Sequence, residues 1–565
     1  MIRTLTILLL LPAALMLGWL AFGSREPRAD FVIAAEEPRT IDPHRASWLN
    51  ELQIADALFE GLTRLNAESL QPEPATAESW SISGDRLSYR FTIRENARWS
   101  NGDPVVAEHF RFAWLRALDP AVECQYATML FAINGAAAYY ASRANADPAD
   151  DLPATSVAIR ADDDRHIEIA LAHSTPYILD LLAFPTFFPV HPPTIQRFAY
   201  RDGVVLRQTR HLWTRPGNIV CNGPYVLTDW KFKSRLLLSR NEQYHDLARV
   251  GLKTVEVYIT ADPNVALRGY ESGRVDFVRD LPANVAQTLF AEARAGRRRD
   301  FHVGDRFATY FYRVNCRRPP LDNAAFRQAL SLALDRDELC ARVTRMGETP
   351  ALTYVPRGSL SRMLRKSADG TPLAYHPPEG FGAGWSKARR IEEARSLLAS
   401  TGFDPQSRPI EMMFAPNPAY QRVAEAMAAM WETNLGLRVV LRTIEGKVLS
   451  ERVRALDYDL VRSDWSGDFL DPLTFLEMFT SQSGQNRTGW SNTAYDAAIA
   501  GAVSEGGDVR RFALFSEAER ILCEDELPIL PLYFRRGNYL LSARFTGITD
   551  NIREHFPIAA IRYAE

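Results

Sequence analysis

The sequence predicts an α/β protein made of more than one structural unit, and three observations carry that expectation. Strand-period and helix-period patterns alternate along the chain, the arrangement expected where helices cover a mostly parallel sheet. The 565 residues exceed what one hydrophobic core organises and point to several units. No internal repeat and no low-complexity linker separates those units, so several crossing segments, rather than a single tether, are expected to join them. A content of 46% hydrophobic and 24% charged residues supplies enough apolar surface for large cores and excludes wholesale disorder, collagen and coiled coil. Sixty-six basic against 69 acidic residues give −3, which leaves no field for a polyphosphate backbone and excludes nucleic acid as the expected partner.

The elements read in order as follows. After Arg3, an apolar run from Leu5 to Gly23 has the form of an export signal, long for a cleaved one and barely long enough to stay as a membrane anchor. Ala21-Phe22-Gly23 fits a small-x-small cleavage site, and with no Cys near residue 23 lipid attachment there is excluded. The mature chain is then expected in the periplasm, either free or tethered to the outer face of the cytoplasmic membrane. Phe31–Ala34 reads as a strand, and residues 87–95 alternate with Leu87, Tyr89, Phe91 and Ile93 on one face. Asn101-Gly102-Asp103-Pro104 reads as a turn in which Asp103 caps a helix and Pro104 is its first residue. That helix presents Phe110, Trp114, Leu115 and Leu118 on one face and stops at Asp119-Pro120, and residues 166–173 form another alternating strand.

Farther on, 323–339 reads as one helix burying Phe326, Leu330 and Leu334, and a helix over 391–401 stops at Gly402. A strand over 409–414 leads to a helix from Tyr420 with Val423, Met427 and Trp431 inward, which Gly436 ends. A strand over 438–444, a helix over 509–524 and a strand-like Leu527–Leu541 complete the pattern. The five cysteines are scattered without a CxxC, so no zinc or dithiol site is expected, and most read as small buried residues. The sequence contains no G-x-S-x-G, H-E-x-x-H, G-x-x-x-x-G-K-[ST], G-x-G-x-x-G or EF-hand loop, and its His residues are dispersed. An exported α/β chain without catalytic signature, metal or cofactor motif is expected to bind rather than to catalyse.

Six blocks in order resemble the family-5 extracellular solute-binding proteins of ABC importers, most closely the members that bind oligopeptides. They are Thr40–His44, Arg94–Gly102, Cys221–Tyr225 with Arg240–Tyr244, Glu271–Asp276, Phe326–Leu330 and Leu334–Arg336. The resemblance implies a two-lobed periplasmic binding protein fold of type II with an additional inserted domain and a ligand cleft between the lobes. It places lobe I at 30–60, 186–305 and 536–565, the additional domain at 61–185 and lobe II at 306–535, with 1–23 as signal or anchor. It implies a monomer that takes an oligopeptide ligand to an inner-membrane ABC permease. The same fold binding a murein peptide, a nickel chelate or an oligosaccharide stays open, as does, more remotely, an anchored enzyme or scaffold.

The stretch Arg462-Ser463-Asp464-Trp465-Ser466-Gly467-Asp468 carries the implied site. A free peptide has an ammonium at one end and a carboxylate at the other, and enclosure strips water from both, so each needs an opposite hydrogen-bonding charge. By the resemblance, Asp468 holds the α-ammonium and Arg462 reaches the carboxylate of a three-residue ligand. Trp465 either lines a side-chain pocket or fills core. Tyr420 stands where a His serves longer ligands in the relative, and Gly446 where a pocket Trp stands. The relative's disulfide positions match Ala308 and Ser466, so that bridge is absent. Asp471, directly before Pro472, reads as a helix N-cap.

Overall fold

The computed structural model describes residues 27–565, apart from 145–147, 203–204, 209–211, 280, 358–364, 367–371 and 506. The export segment expected over 1–23 lies outside the described residues. Strand β1 (Phe31–Ala35) is followed by helix α1 (Leu49–Leu58) and by a small sheet of β2 (Ala77–Ile82), β3 (Ser88–Ile93), β4 (Ile159–Ala161) and β5 (His166–Ala170), covered by α2 (Ala107–Ala117). Strands β6 (Tyr225–Lys231), β7 (Arg235–Arg240), β8 (Thr254–Ile259), β9 (Phe277–Arg279) and β10 (Phe301–Val314) come next. Then follow α3 (Ala324–Leu332), α4 (Lys387–Ser400), β11 (Ile410–Phe414), α5 (Pro418–Leu435), β12 (Val439–Thr443), β13 (Leu460–Ser466), α6 (Asp508–Arg520) and β14 (Ile529–Leu541).

The large strands form one sheet in the order β6-β7-β8-β1-β9-β14-β10-β13-β11-β12. The expectation of a mostly parallel sheet needs correction: only β1 with β8 and β9, and β11 with β12 and β13, are parallel, and every other pair on that path is antiparallel. The cause is the pair of long strands at the centre. β10 and β14, of 14 and 13 residues, run antiparallel through both halves of the sheet, and their register slips between Asp305 and Thr309. A slip of this kind bends a strand and raises its twist, so the two halves can differ in orientation while sharing two covalent crossings. One core packs α3, α4 and α5 against the β11 side through Phe326, Leu330, Met427 and Trp431. A second, larger core runs under β1, β6 to β8, the small sheet and α6.

Local sequence explains most boundaries. Asn417 accepts the amide of Ala419 at 2.8 Å and Pro418 opens α5, while Gly436 ends it at φ +70°, where an L side chain is strained. β3 buries Tyr89, Phe91 and Ile93 by alternation as expected. Two expectations fail for identifiable reasons. Asp103 does not cap α2, which begins at Ala107; the amide of Val106 and the indole N–H of Trp99 both donate to His109 Nδ1, at 3.3 and 3.0 Å. Asp103 instead accepts from Asn101 Nδ2 at 2.7 Å and faces His191 Nε2 at 3.1 Å. The helix expected over 323–339 stops at Leu332 and restarts at Arg336, because Asp335 turns its carboxylate to the amide of Glu338 at 3.0 Å.

The blocks that carried the family resemblance are joints of this framework. Asp42 takes a buried bidentate contact from Arg116, at 3.0 and 2.6 Å. Asn222 exchanges two hydrogen bonds with the Glu60 backbone, and Asn241 Nδ2 holds the Gly223 carbonyl at 2.8 Å. Gly223 lies so close to α1 that a Cβ would stand 2.5 Å from the Leu58 carbonyl carbon. Asp276 accepts the Val32 amide at 2.9 Å, and buried Arg327 and Arg336 hold the carbonyls of Glu526 and Pro531 at 2.6 and 2.8 Å.

All five cysteines are free thiols. Ala308 and Ser466 stand directly opposite each other in the β10/β13 ladder. The neighbouring Gly467 amide donates to the Phe307 carbonyl at 2.8 Å, so 308 and 466 form the closer, non-hydrogen-bonded pair, whose separation suits a disulfide. The double variant Ala308→Cys/Ser466→Cys should therefore oxidise to a bridge detectable by peptide mapping and add about 2–4 kcal/mol to unfolding stability. Two unpaired thiols at these positions after oxidation would contradict the register.

Candidate ligand-binding site

Strand β13 presents Arg462 and Asp464 on one face and Trp465 on the other, as alternation requires. Arg462 Nη1 pairs with Asp464 Oδ1 at 2.8 Å, and Asp464 Oδ2 takes a second bond from Arg535 Nη1 at 2.6 Å on β14. The Arg462 guanidinium lies 3.8 Å from the ring centre of Tyr420 and 4.7 Å from that of Tyr310. Tyr420 is carried there by the first turn of α5, and Tyr310 by β10. Two aromatic faces and one carboxylate hold the charge in a site that is 12% exposed, and Asp464 keeps the guanidinium above the ordinary Arg range despite burial. Nε and Nη2 of Arg462 are buried and make no hydrogen bond of good distance and angle, although the Tyr310 hydroxyl is near enough to favour the charge.

Trp465 is positioned differently. Its indole N–H donates to the Thr474 carbonyl at 2.7 Å and its ring packs against the larger core. It ties β13 to the short helix Leu473–Leu476 rather than standing beside Arg462. Gly446 begins another short helix, Gly446–Arg454, and a Cβ there would meet nothing within 4 Å.

Asp468 sits in the loop after β13. Its amide donates to Thr474 Oγ1 at 3.0 Å and its carbonyl accepts from Arg553 Nη2 at 2.6 Å. Its carboxylate has no hydrogen bond or ion pair among the described residues. Burial raises its pKa to about 6, against the pull of the nearby Arg553. The loop is held on its far side as well: Phe469 stacks on Tyr177 with ring centres 4.2 Å apart, and the Leu470 amide donates to Asp180 Oδ2 at 2.8 Å. Asp471 stands one residue before the N-cap position, which Pro472 holds; it accepts the Leu473 amide at 3.0 Å and is also held by both terminal nitrogens of buried Arg511, at 2.6 and 2.7 Å. Sequence reasoning picked out Arg462, Tyr420 and Asp468 but missed Tyr310, Asp464, Arg535 and Arg553. Tyr310 and Asp464 could have been found by pairing the alternating faces of two strands, whereas nothing local marks Arg535 or Arg553.

The arrangement therefore offers an anionic point at Asp468 and a cationic point at Arg462, joined by β13 and both enclosed. Comparison with known proteins identifies the family. The profile of the bacterial extracellular solute-binding proteins, family 5 Middle, matches residues 71–487. The periplasmic oligopeptide-binding protein OppA of Salmonella typhimurium is 32% identical over 526 residues, covering 91% of this chain and 90% of that protein. The dipeptide-binding protein DppE of Bacillus subtilis is 31% identical over 522 residues, covering 92% and 89%. The solved structure of the Escherichia coli murein tripeptide binding protein MppA superposes with a TM-score of 0.76 at 27% identity, covering 95% of this chain and 99% of that one. The fold is the two-lobed α/β arrangement of periplasmic binding proteins, and the chain belongs to family 5 of the bacterial extracellular solute-binding proteins.

Proposed function

We propose that this protein is an exported, non-catalytic peptide receptor that encloses oligopeptides between its lobes and delivers them to an ABC permease of the inner membrane as a monomer. The observation that carries the reading is the Asp468 carboxylate, enclosed and without hydrogen-bond or ion-pair partner among the described residues, on the same strand-and-loop segment as the oriented guanidinium of Arg462. An ammonium and a carboxylate of one extended chain complement these two points. Relatives named for oligopeptides, dipeptides and murein peptides support the class of ligand. We assign the lobes to the two halves of the large sheet, with β10 and β14 crossing near residues 305–309 and 534–536, and the inserted domain to the small antiparallel sheet.

The chemistry of recognition follows. In the unliganded protein, Asp468 is disfavoured as an anion because few groups solvate it. An incoming α-ammonium replaces the missing water with three N–H donors and one positive charge, so binding is strongest when the group is ionised. At the other end, the Arg462 guanidinium, oriented by Asp464 and the two tyrosines, donates to a ligand carboxylate. Side chains between the two ends contribute less, which suits a receptor tolerant of sequence.

Asp468→Ala should weaken every free-amine peptide. Breaking one member of a buried charge pair typically costs about 2–5 kcal/mol, a loss of roughly 30-fold to several-thousand-fold. Arg462→Ala should weaken tripeptides comparably and pentapeptides much less, because their carboxylates lie beyond its reach. Calorimetric titration of both variants with tri-, tetra- and pentapeptides checks this, and equal losses at every length for Arg462→Ala would remove its assignment. The pH dependence has a definite sign. The free-state pKa of Asp468 is about 6, so affinity is fully present above that value and falls as pH drops through it, while binding near pH 6 releases protons. Affinity that rises on acidification from pH 7 to 5 would contradict the pairing.

A further inference from the structure

A groove of about 1030 Å³ opens at the amino ends of β1 and β9, lined by residues 297–300, by Gly273 and Asp276 just before β9, and by Arg544 after β14. The helix Ala283–Arg294 leads into it and is closed by Gly296 at φ +71°. The Gly296 amide donates to the Ala293 carbonyl and the Arg297 amide to the Glu292 carbonyl, at 3.0 Å each. This closure fixes a turn, 294–299, that holds four Arg and no acid. Two of the groove's acids and one of its cations answer one another: Arg298 pairs with Glu271 and with Asp300, at 2.8 Å each. Asp276 is shared by two cations, Arg28 at 2.7 Å and Arg544 at 2.5 Å. Arg297 and Arg299 are exposed, and their side chains have no hydrogen bond or ion pair among the described residues; Glu292 is the one lining acid in that condition.

Arg28 ties this groove to the start of the chain. Its guanidinium donates to the Gly273 carbonyl at 3.2 Å and to Asp276 Oδ2 at 2.7 Å, so residue 28 is fixed at the groove wall. The apolar run from Leu5 to Gly23 ends five residues earlier, and five extended residues span at most about 18 Å. A bilayer that keeps the run as an anchor therefore stands within that distance of the groove. Headgroups project several ångströms beyond the hydrocarbon, and their field reaches about 8 Å farther at physiological salt. At that range the local arginines count and the net charge of −3 on the whole chain does not. We propose that the groove docks on the phosphate headgroups of an anionic membrane, with the run from Leu5 to Gly23 retained as the anchor. Guanidinium forks match phosphate oxygens two by two, and Arg297 and Arg299 reach them without giving up an existing pair. The contact leaves the proposed peptide site uncovered. Arg279 at the far end of β9 donates to the Glu554 carbonyl, and the adjacent Arg553 holds the Asp468 loop.

The test is arginine modification by phenylglyoxal on the full chain reconstituted into phosphatidylcholine vesicles, with and without phosphatidylglycerol, read residue by residue by peptide mapping. In the anionic vesicles Arg297 and Arg299 should react about three-fold or more slowly than in the neutral ones, and about 1 M salt should abolish the difference. Arg160, exposed on the small sheet, should react at the same rate in both. Equal rates at Arg297 and Arg299 in the two lipids, or protection that persists at high salt, overturn the proposal. Inorganic phosphate that protects both residues as well in neutral vesicles marks a site for free phosphate and overturns the docking surface. A chain recovered from the aqueous fraction of cells with its start near Ser24 overturns it too, because the anchor is gone.

Discussion

The enclosed, unmatched charge at Asp468 is the constraint around which the site is built. A carboxylate taken out of water costs several kcal/mol unless hydrogen bonds or an opposite charge replace the lost hydration. Other acids near the loop are answered: Asp471 by Arg511, Asp180 by Arg553, Asp464 by Arg462 and Arg535. Asp468 spends its backbone groups on Thr474 and Arg553 and leaves its carboxylate free. An enclosed carboxylate left without a partner beside such answered neighbours is the basis of the proposed ligand contact.

The framework makes that exposure of charge tolerable. β10 and β14 cross the whole sheet, and their pairing slips just where β13 and the Asp468 loop leave the ladder. Thr474, Trp465, Tyr177 and Arg553 then fix the loop from different elements, so the carboxylate is held by its surroundings rather than by a partner of its own. Arg462 is treated in the opposite manner, held by Asp464 and two aromatic faces, so that its remaining donors are oriented before anything binds.

Much of the fold was legible because local rules act alone at those places. Alternation set β3 and Gly436 set the end of α5, and both agree with the structure, while the start read at Tyr420 lies at Pro418. Where a tertiary partner competes, the reading failed. Asp103 has the residue type and position of a cap but is drawn to Asn101 and His191, and Asp335 interrupts a helix that hydrophobic spacing alone would continue. The resemblance motifs were informative about family and silent about ligand, because Asp42, Asn222, Gly223, Asp276, Arg327 and Arg336 are joints between elements. The candidate site was half legible: Arg462 and Asp468 lie on one segment, whereas Arg535 and Arg553 come from residues distant in sequence.

The central claim is that a ligand's α-ammonium completes the charge at Asp468. Calorimetric titration of one tripeptide as its free amine and as its N-acetyl derivative tests it most directly, since acetylation removes the positive charge and keeps the chain. Loss of one member of a buried pair predicts that the acetylated peptide binds at least about 30-fold more weakly. Equal affinity for the two forms would contradict the account.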